Sequence, residues 1–384
     1  MKHDENLEKV WFSEPENRDN SPSRRGESTP SYLARSTRPK AADLRAFLNR
    51  NLAALPKECQ QNLYRHLRLD DKYESAFFEL VVARMLQELG GSITCEPENE
   101  VDGTKIDFVA RFVDHTTAVE ATSPVFSKDT AETARDRTRL TDFIEECVPA
   151  GWGVAIVGLP GIGPAGSTKQ FKAAVKRMLD VPPPAEDEEK RELSWELPQG
   201  EIRLNLLAKT PFGLKEEARL VHEAPLSVVN HSEGIIRQAV RRKYRQARHV
   251  ETPVLLAVKA EGFFRSLEDF DRALFGHYRV HLDESTSFKA DGAFTRAKEG
   301  EPTLAGVLAF TEVGHLRCSE PVLYIHPRFS GGLPEALRQL EQRKLVAEGS
   351  GIEVLEPRRR GYLEALGFLD PKGPQLPFPL QESS

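Results

Sequence analysis

The chain has 384 residues, of which 39% are hydrophobic, and carries a formal net charge of -6 and a mean hydropathy of -0.47. This length provides one large or two ordinary domains, and the hydrophobic content is sufficient to build a core. No run approaches the roughly 20 apolar residues that a membrane span needs, and the polar N-terminus has no stretch typical of a signal peptide. We therefore expect a cytoplasmic protein with no membrane partner.

The net charge and the absence of certain short motifs exclude several classes of functional site. The net negative charge gives no general support for nucleic-acid binding, which usually needs a basic surface. A bound Mg²⁺ would nevertheless supply positive charge at a nuclease site. Neither HExxH, GxSxG nor a dinucleotide fingerprint occurs, so zinc hydrolysis, acyl transfer and hydride transfer have no support. The cysteines lie far apart with no CxxC pair, which predicts reduced thiols and argues against a structural zinc site: Cys59, Cys95, Cys147 and Cys318.

The first 70 residues divide into an arm and a helical segment. Residues 1–40 are rich in Asn, Ser, Pro, Arg and Glu, a composition typical of a disordered arm. From Ala41 to Leu69 apolar residues recur at helical spacing, and Pro56 is placed to begin a second helix. We expect this helical pair to cap the domain that follows.

The next segment has the pattern of a helix, a strand and a hairpin. The predicted elements are a helix from Asp71 to Leu89, ended by Gly90-Gly91, a strand from Ser92 to Glu96, and a hairpin of Lys105–Phe112 and Thr117–Thr122. A hairpin centred near Asp114-His115 would put Asp107 opposite Thr122. Asp107 and Glu120 would then share one face, one diagonal step apart.

Paired carboxylates on one face indicate a cation or proton site. Asp107 and Glu120 would repel each other unless one is protonated or a cation lies between them. Mg²⁺ is the natural ion for hard oxygen ligands. A third acid, Glu79, lies on the preceding helix, where it would complete the cluster.

The middle of the chain predicts a further helix and strand. A charged helix is expected over 128–147 and a buried strand over 152–158, followed by the glycine-rich stretch Gly158–Lys169. This stretch resembles a phosphate loop in its glycine spacing, but Ser167 stands where the loop requires lysine, so we interpret it as a plain strand-to-helix loop. A polar linker covers Val181–Lys190, and strands are expected over Leu193–Leu197 and Glu201–Lys209.

The last third alternates helices and strands. Helix Glu233–His249 has a buried stripe and a basic face, which is either a solvated surface or a face that follows phosphates beside the acids. The other predicted elements are a strand at Pro253–Lys259, a helix at Leu267–Leu274, an irregular segment at Arg279–Glu301, strands at Leu304–Thr311 and Val322–His326, and a helix at Gly332–Val346.

The acids and their order resemble the PD-(D/E)XK phosphodiesterase superfamily, which has the restriction-endonuclease-like fold. Glu79 matches its first-helix acid, Asp107 in KIDF its Asp, and Glu120 in VEATS its (D/E). The chain departs from the pattern at Thr122, which stands at the motif lysine. Lys243 is the first candidate for a lysine supplied by another element, and Lys105 the second.

Further stretches resemble a group of uncharacterised bacterial proteins of this type. They are IRQAVRRKYRQA, TPVLLAVKAEGFF, FDRALFG and LYIHPRFSGGLP, so that the resemblance covers roughly Lys72 to Leu333. It implies an α/β fold with a mixed central sheet flanked by helices, a restriction-endonuclease-like core and a C-terminal α/β extension. Composition, apolar spacing and the resemblance together predict a disordered arm at 1–40, a helical cap at 41–70, a nuclease-like core at 71–180, a linker or exposed loop at 181–200, an extension packed on the core at 201–370 and a loose tail at 371–384.

The resemblance also implies a function. The chain would be a metal-dependent nuclease acting on DNA or RNA, with Glu79, Asp107 and Glu120 holding Mg²⁺ or Mn²⁺. The metal would polarise the scissile phosphate and activate a water for in-line attack. Lys243 would stabilise the transition-state charge, and Thr122 would hydrogen-bond the water or a phosphate oxygen.

Two alternatives stay open from the sequence. The first is a catalytically decayed nuclease-like fold that acts as a nucleic-acid or protein binding module, which the missing motif lysine and the acidic net charge favour. The second is a purely structural role, in which Asp107 and Glu120 cap the hairpin or pair with arginines.

Overall fold

The computed structural model describes residues 10–16, 19–21, 27–97, 105–124, 152–158, 173, 176–177, 190–197, 200–208, 220–223, 232–247, 250–260, 266–280, 286–288, 291–295, 303–315, 317–346, 351–359 and 361–368. The chain forms two compact units. The described residues between Val125 and Asn230 belong to the smaller unit. The larger unit contains the described residues up to and including Pro124 and those from His231 onward.

The described part of the chain contains the following regular elements. The helices are α1 Thr29–Arg35, α2 Pro39–Ala53, α3 Lys57–Leu67, α4 Tyr73–Glu88, α5 Ser232–Ala247, α6 Leu267–Leu274 and α7 Tyr362–Leu366, with a 3-10 turn at Leu337–Gln339. The strands are β1 Ser92–Cys95, β2 Phe108–Arg111, β3 Thr116–Thr122, β4 Trp152–Gly158, β5 Lys190–Leu197, β6 Gly200–Ala208, β7 Leu220–Glu223, β8 Val254–Lys259, β9 Tyr278–Val280, β10 Thr286–Phe288, β11 Leu304–Phe310, β12 Val322–Ile325, β13 Glu341–Leu345 and β14 Ile352–Leu355.

The larger unit is built on an eight-stranded mixed sheet of order β1-β2-β3-β8-β11-β12-β13-β14. The first three strands are antiparallel, and β3, β8 and β11 are parallel to one another. Every residue of β8 and β11 is buried, and both strands are apolar apart from Lys259 at the end of β8, as is typical of parallel strands covered on both faces. This mixed sheet confirms the predicted α/β fold class.

Helices cover both faces of the sheet, and alternating residues of the central strands face opposite sides. Val119 of β3 packs in one core with the residues of α2, α3, α4 and α7. Its neighbour Ala118 packs in a second core with Ile236 and Val240 of α5 and with residues of α6. The sheet is thus flanked by α4 on one face and by α5 on the other.

The order of elements around the hairpin corrects one prediction. The strand at Trp152–Gly158 was expected to follow the hairpin in the core, but it is β4 of a separate four-stranded sheet, order β5-β6-β4-β7, in the smaller unit. The helix and the parallel strand that follow β3 in the main sheet are instead α5 and β8. An apolar run shows that a strand is buried but not to which sheet it belongs, which is why the sequence misled here.

Strands also occur where the sequence predicted loops. β5 begins at Lys190, inside the predicted linker, and β7 at Leu220–Glu223 lies where no strand is predicted. β9 and β10 form an antiparallel pair inside the segment predicted to be irregular. The predicted helix at 128–147, the glycine-rich loop at 159–169 and the start of the linker at 181–189 lie outside the described residues.

The predicted helix at Gly332–Val346 is wrong. It is replaced by the 3-10 turn at Leu337–Gln339 and by β13. Strand β13 is parallel to β12 and antiparallel to β14, so pairing on both sides outweighs the helical spacing of Leu337 and Leu340.

The arm predicted at 1–40 is ordered where it is described. Helix α1 lies within it, and Trp11 is buried. The backbone N–H groups of Trp11 and Phe12 both donate to Asn49 Oδ1, at 3.0 and 2.8 Å. The polar composition therefore does not mean that this segment is disordered. The buried Trp11 and the side-chain oxygen of Asn49, which accepts hydrogen bonds from two backbone N–H groups, fix the segment on α2.

The expectation of reduced cysteines is corrected for one pair. Cys59 on α3 and Cys95 at the end of β1 form a disulfide, whereas Cys318 is free and buried. The two residues are 36 positions apart in sequence, and only the packing of α3 beside β1 brings them together. In the described part of the chain, no helix is both long and apolar enough to cross a membrane.

Candidate active site

The hairpin differs in register from the sequence prediction. Phe108 pairs with Val119 and Val109 with Ala118, so the turn is centred on Val113-Asp114 rather than on Asp114-His115. Moving the centre of the turn by one residue changes the partner of every strand residue by two positions. Continuing this register brings Asp107 level with Glu120, where the prediction put Thr122.

Asp107 is fixed by the backbone on both sides. Its Oδ2 accepts a hydrogen bond from the N–H of Ala121 at 2.7 Å, and its carbonyl accepts one from the N–H of Glu96 at 3.0 Å. The carboxylate thus lies against β3 immediately before β2 begins. This position also places it beside Glu120, because Ala121 is the next residue along β3.

Lys243 joins the two acids from helix α5. Its Nζ lies 2.6 Å from Glu120 Oε2 and 3.7 Å from Asp107 Oδ2. The helix turns Lys243 toward the sheet because Val240 and Ala247, three positions before and four after it, are both buried. Glu120, only 4% exposed, faces α5 together with Ala118.

Burial and neighbouring charges shift the pKa values of Glu120 and Lys243. Burial, and then the charge of Asp107, raise the pKa of Glu120 above its ordinary value, although Lys243 acts against this. Burial lowers the pKa of Lys243, but Asp107 and Glu120 outweigh that effect and the net pKa is raised. Lys243 is therefore an ammonium ion held between two carboxyl groups.

Glu79 adds a third acid from helix α4. Ser75 Oγ donates to Glu79 Oε1 at 3.2 Å, across one turn of the helix. Burial, followed by the charge of Asp107, raises the pKa of Glu79 to about 7, and Glu96 acts in the same direction. The acid predicted from the first helix therefore lies within electrostatic range of the hairpin acids.

The other two predicted residues take different positions. Thr122 is buried, pairs with Val258 of β8, and lies on the same face of β3 as Glu120. Lys105 is largely exposed, and its Nζ lies 3.5 Å from Glu96 Oε2. Of the two candidate lysines, Lys243 is the one that contacts Asp107 and Glu120.

Sequence reasoning missed Glu96 and Asn62 beside the acids. The carboxylate of Glu96 accepts a hydrogen bond from Asn62 Nδ2 on α3, and its backbone pairs with Asp107. Glu96 has a φ of 44°, a strained left-handed value for a residue with a side chain. No sequence pattern would have identified it, since a single acid after a short strand carries no signal.

A second charged cluster lies on the opposite face of the sheet. Lys259, the last residue of β8, is buried, and its Nζ lies 3.3 Å from Glu74 Oε2 on α4. His315 Nε2 lies 3.7 Å from Glu74 Oε1. The hydrogen bond from His315, assisted by Lys259, lowers the pKa of Glu74 to about 2. This cluster ties helix α4 to β8 and to the segment after β11.

The donor chemistry of the acids fits a hard divalent cation. Three carboxyl groups come from α4, β3 and the start of β2, and two of them have raised pKa values, as expected where negative charge is crowded. Among the described residues, however, no three His, Cys, Asp or Glu side chains come close enough together to form a metal-binding group. Lys243 already provides one positive charge for the acids.

Comparison with known proteins gives no match. No family model, no curated protein and no solved structure is significantly similar to the chain. The function is therefore inferred from the geometry of the acids and of Lys243.

Proposed function

We propose that the chain is a metal-dependent nuclease that hydrolyses phosphodiester bonds in nucleic acid, with a site of the PD-(D/E)XK type. Asp107, Glu120 and Glu79 are its acids and Lys243 its lysine. The observation that carries the proposal is the contact of Lys243 Nζ with Glu120 at 2.6 Å and its approach to Asp107 at 3.7 Å. An ammonium group from α5 thus reaches the acids, although Thr122 stands at the motif lysine.

The order of elements supports the same proposal. The sequence predicted a helix, a strand and a hairpin in this order, and the larger unit has them as α4, β1 and the β2–β3 hairpin. The helix and strand that follow the hairpin in the main sheet are α5 and β8, with β8 parallel to β3, and not the segments expected at 128–147 and 152–158. The acids lie on the first helix and the hairpin, and Lys243 lies on the second helix.

The groups would divide the chemistry between them. Asp107 and Glu120, with Glu79, would hold Mg²⁺ or Mn²⁺, which when bound polarises the scissile phosphate. The Lys243 ammonium is placed to balance negative charge that develops on the phosphate in the transition state. Thr122, beside Glu120 on β3, offers a hydroxyl for a water or a phosphate oxygen.

Cleavage assays on a panel of single- and double-stranded DNA and RNA, with Mg²⁺ or Mn²⁺, test the proposal. Asp107→Asn and Glu120→Gln should each abolish cleavage, and Lys243→Met should lower it by about 100-fold. The matched control is Lys105→Met, which removes an exposed lysine paired with Glu96 and should retain activity. Well-folded protein that cleaves nothing and binds neither cation in a titration would exclude the nuclease.

A nucleic-acid or protein binding module on the same fold is the second candidate. It is favoured by the ammonium of Lys243, whose single positive charge offsets part of the negative charge of Asp107 and Glu120 without a metal, and by the lack of a close three-ligand group in the described ranges. A module of this kind would retain nucleic-acid binding in a gel-shift assay when Asp107→Asn is introduced. The nuclease would also bind, but its cleavage would depend on Asp107.

A further inference from the structure

A cavity of about 640 Å³ lies in the larger unit, away from the acids, between residues 11–16 and helices α1, α2 and α3. One wall is aromatic. The ring centroids of Trp11 and Tyr64 are 4.8 Å apart, and those of Phe12 and Tyr64 are 5.4 Å apart. Asn49 anchors this wall, because its side chain also donates to the carbonyl of Phe12 at 2.9 Å. The volume is that of an ordinary small-molecule pocket.

Arg45 of helix α2 lines the cavity although it is only 4% exposed. Its Nη1 donates to the carbonyls of Leu33 and Ser36, at 2.9 and 2.8 Å, and so caps the end of α1. A guanidinium carries five N–H groups, and this structural role uses only those of Nη1. The Nε and Nη2 groups have no hydrogen-bond partner among the described residues, and both belong to a side chain that borders the cavity.

The positive charge of Arg45 is not balanced by an ion pair in the described part of the chain. Arg35, which lines the same cavity, differs in this respect because it contacts Asp19 at 2.7 Å and Glu27 at 2.5 Å. Burial lowers the pKa of Arg45, and Glu14 on the cavity wall offsets this only by acting from a distance. A buried charge without a partner is costly, so a cavity beside it favours an anion.

We propose that this cavity is a binding site for a small planar organic anion. The anionic group, a carboxylate or a phosphate, would accept hydrogen bonds from the free edge of Arg45, and the ring would pack on Tyr64 and Trp11. Arg68, whose guanidinium lies over the Tyr64 ring at 5.6 Å, adds positive charge at the rim. The exposed acids Glu14 and Glu16 disfavour a ligand with several negative charges.

Calorimetric titration of the full chain with benzoate, phenyl phosphate and benzamide tests this site. Benzamide has the ring and shape of benzoate but no charge. At least one of the two anions should bind 10-fold or more tightly than benzamide, as a charge-assisted hydrogen bond predicts. Which anion binds better distinguishes a carboxylate site from a phosphate site. Binding of neither anion, or equal binding of benzamide and both anions, would overturn the proposal.

Substitutions of arginines test whether the anion binds in this cavity. Arg45→Gln should weaken binding of the preferred anion by 10-fold or more, and Arg68→Gln, at an exposed position, should weaken it by a smaller factor without affecting folding. Arg50→Gln is the matched control, because Arg50 lies on the same helix but donates to the carbonyl of Leu366 and does not line the cavity. Equal affinity in the wild type, Arg45→Gln and Arg68→Gln would show that the anion binds elsewhere.

Discussion

At the scale of single residues, Lys243 and a divalent cation would compete for the same carboxylates. The ammonium lies 2.6 Å from Glu120 and therefore occupies the space in which a cation would neutralise that group. Lys243→Met keeps the length of the side chain and removes its charge. We expect it to tighten Mn²⁺ binding by about 10-fold at pH 8, which is above the pKa of about 7 of Glu79 and Glu120, while cleavage falls.

Calorimetric titration with Mn²⁺ measures this effect without relying on activity. Lys105→Met serves as the control because its removal leaves Asp107 and Glu120 paired with Lys243. An affinity for Mn²⁺ that is the same in the wild type and Lys243→Met would mean that the ion does not share these carboxylates.

Glu79 should make stability depend on pH. Its pKa is raised from the ordinary 4.5 to about 7, so the folded protein retains a proton that the unfolded chain loses between these values. The free energy of unfolding therefore falls as the pH rises from about 4.5 to 7. Glu79→Gln removes this effect and should stabilise the protein by on the order of 2 kcal/mol at pH 8, but little at pH 5.

Thermal or urea denaturation at the two pH values measures the difference. Glu58→Gln, on the exposed side of α3, is the control and should not change the pH dependence. If Glu79→Gln shifted stability equally at pH 5 and pH 8, the burial of an ionised Glu79 would not be the cause.

The sequence predicted which residues form this cluster better than it predicted how they are arranged. Glu79, Asp107 and Glu120 were found because acid spacing along a helix and a hairpin is visible in the sequence, and Lys243 because the motif position lacked a lysine. The predicted centre of the hairpin turn is wrong by one residue, since neither Val113-Asp114 nor Asp114-His115 carries a glycine that would fix the turn. The contact of Glu96 with Asn62 joins different elements and has no local signal.

At the scale of elements, the disulfide is the feature that the spacing of the cysteines in the sequence did not predict. Cys59 and Cys95 join α3 to β1, which is the edge strand next to Glu96. The loop they close, with a sequence separation of 36, predicts a stabilisation of about 4 kcal/mol from the reduced entropy of the unfolded chain. The double substitution Cys59→Ser and Cys95→Ser should therefore lower the free energy of unfolding by about that amount.

Urea denaturation with and without dithiothreitol gives the test. The reductant should destabilise the wild type toward the level of the double variant, and it should leave the double variant unchanged. A wild type that is insensitive to dithiothreitol in unfolding experiments would contradict a stabilising disulfide.

Element types were predictable where burial alone decides them. Helices α4, α5 and α6 and strands β8 and β11 follow from spacing and apolar runs, and the structure confirms them. The sequence was right that β4 is a strand but wrong about the sheet that contains it, and it was wrong about the element type of β13. Both depend on which strand they pair with. Pairing partners lie far away in sequence, so periodicity cannot identify them.

At the scale of the whole molecule, the residues of the smaller unit are inserted in the sequence between β3 and α5 of the larger unit. The chain leaves the larger unit at Pro124 and resumes it at His231, and β3 nevertheless pairs directly with β8. The two hydrophobic cores that cover the faces of the sheet contain, among the described residues, only side chains from outside 125–230. The larger unit therefore supplies its own core, which is the physical requirement for folding alone.

Replacing residues 125–230 with a short Gly/Ser linker should leave a folded larger unit. We expect cooperative thermal unfolding, the strand and helix content of the eight-stranded sheet, and an intact Cys59–Cys95 disulfide. Circular dichroism and calorimetry measure these properties, and Leu256→Asp in the same shortened chain, a charge at a fully buried position of β8, is the unfolded control. A shortened chain as unfolded as this control would mean that the smaller unit is needed to bring α5 and β8 back onto β3. A folded one would show that helix α4, the hairpin and helix α5 hold Glu79, Asp107, Glu120 and Lys243 together without it.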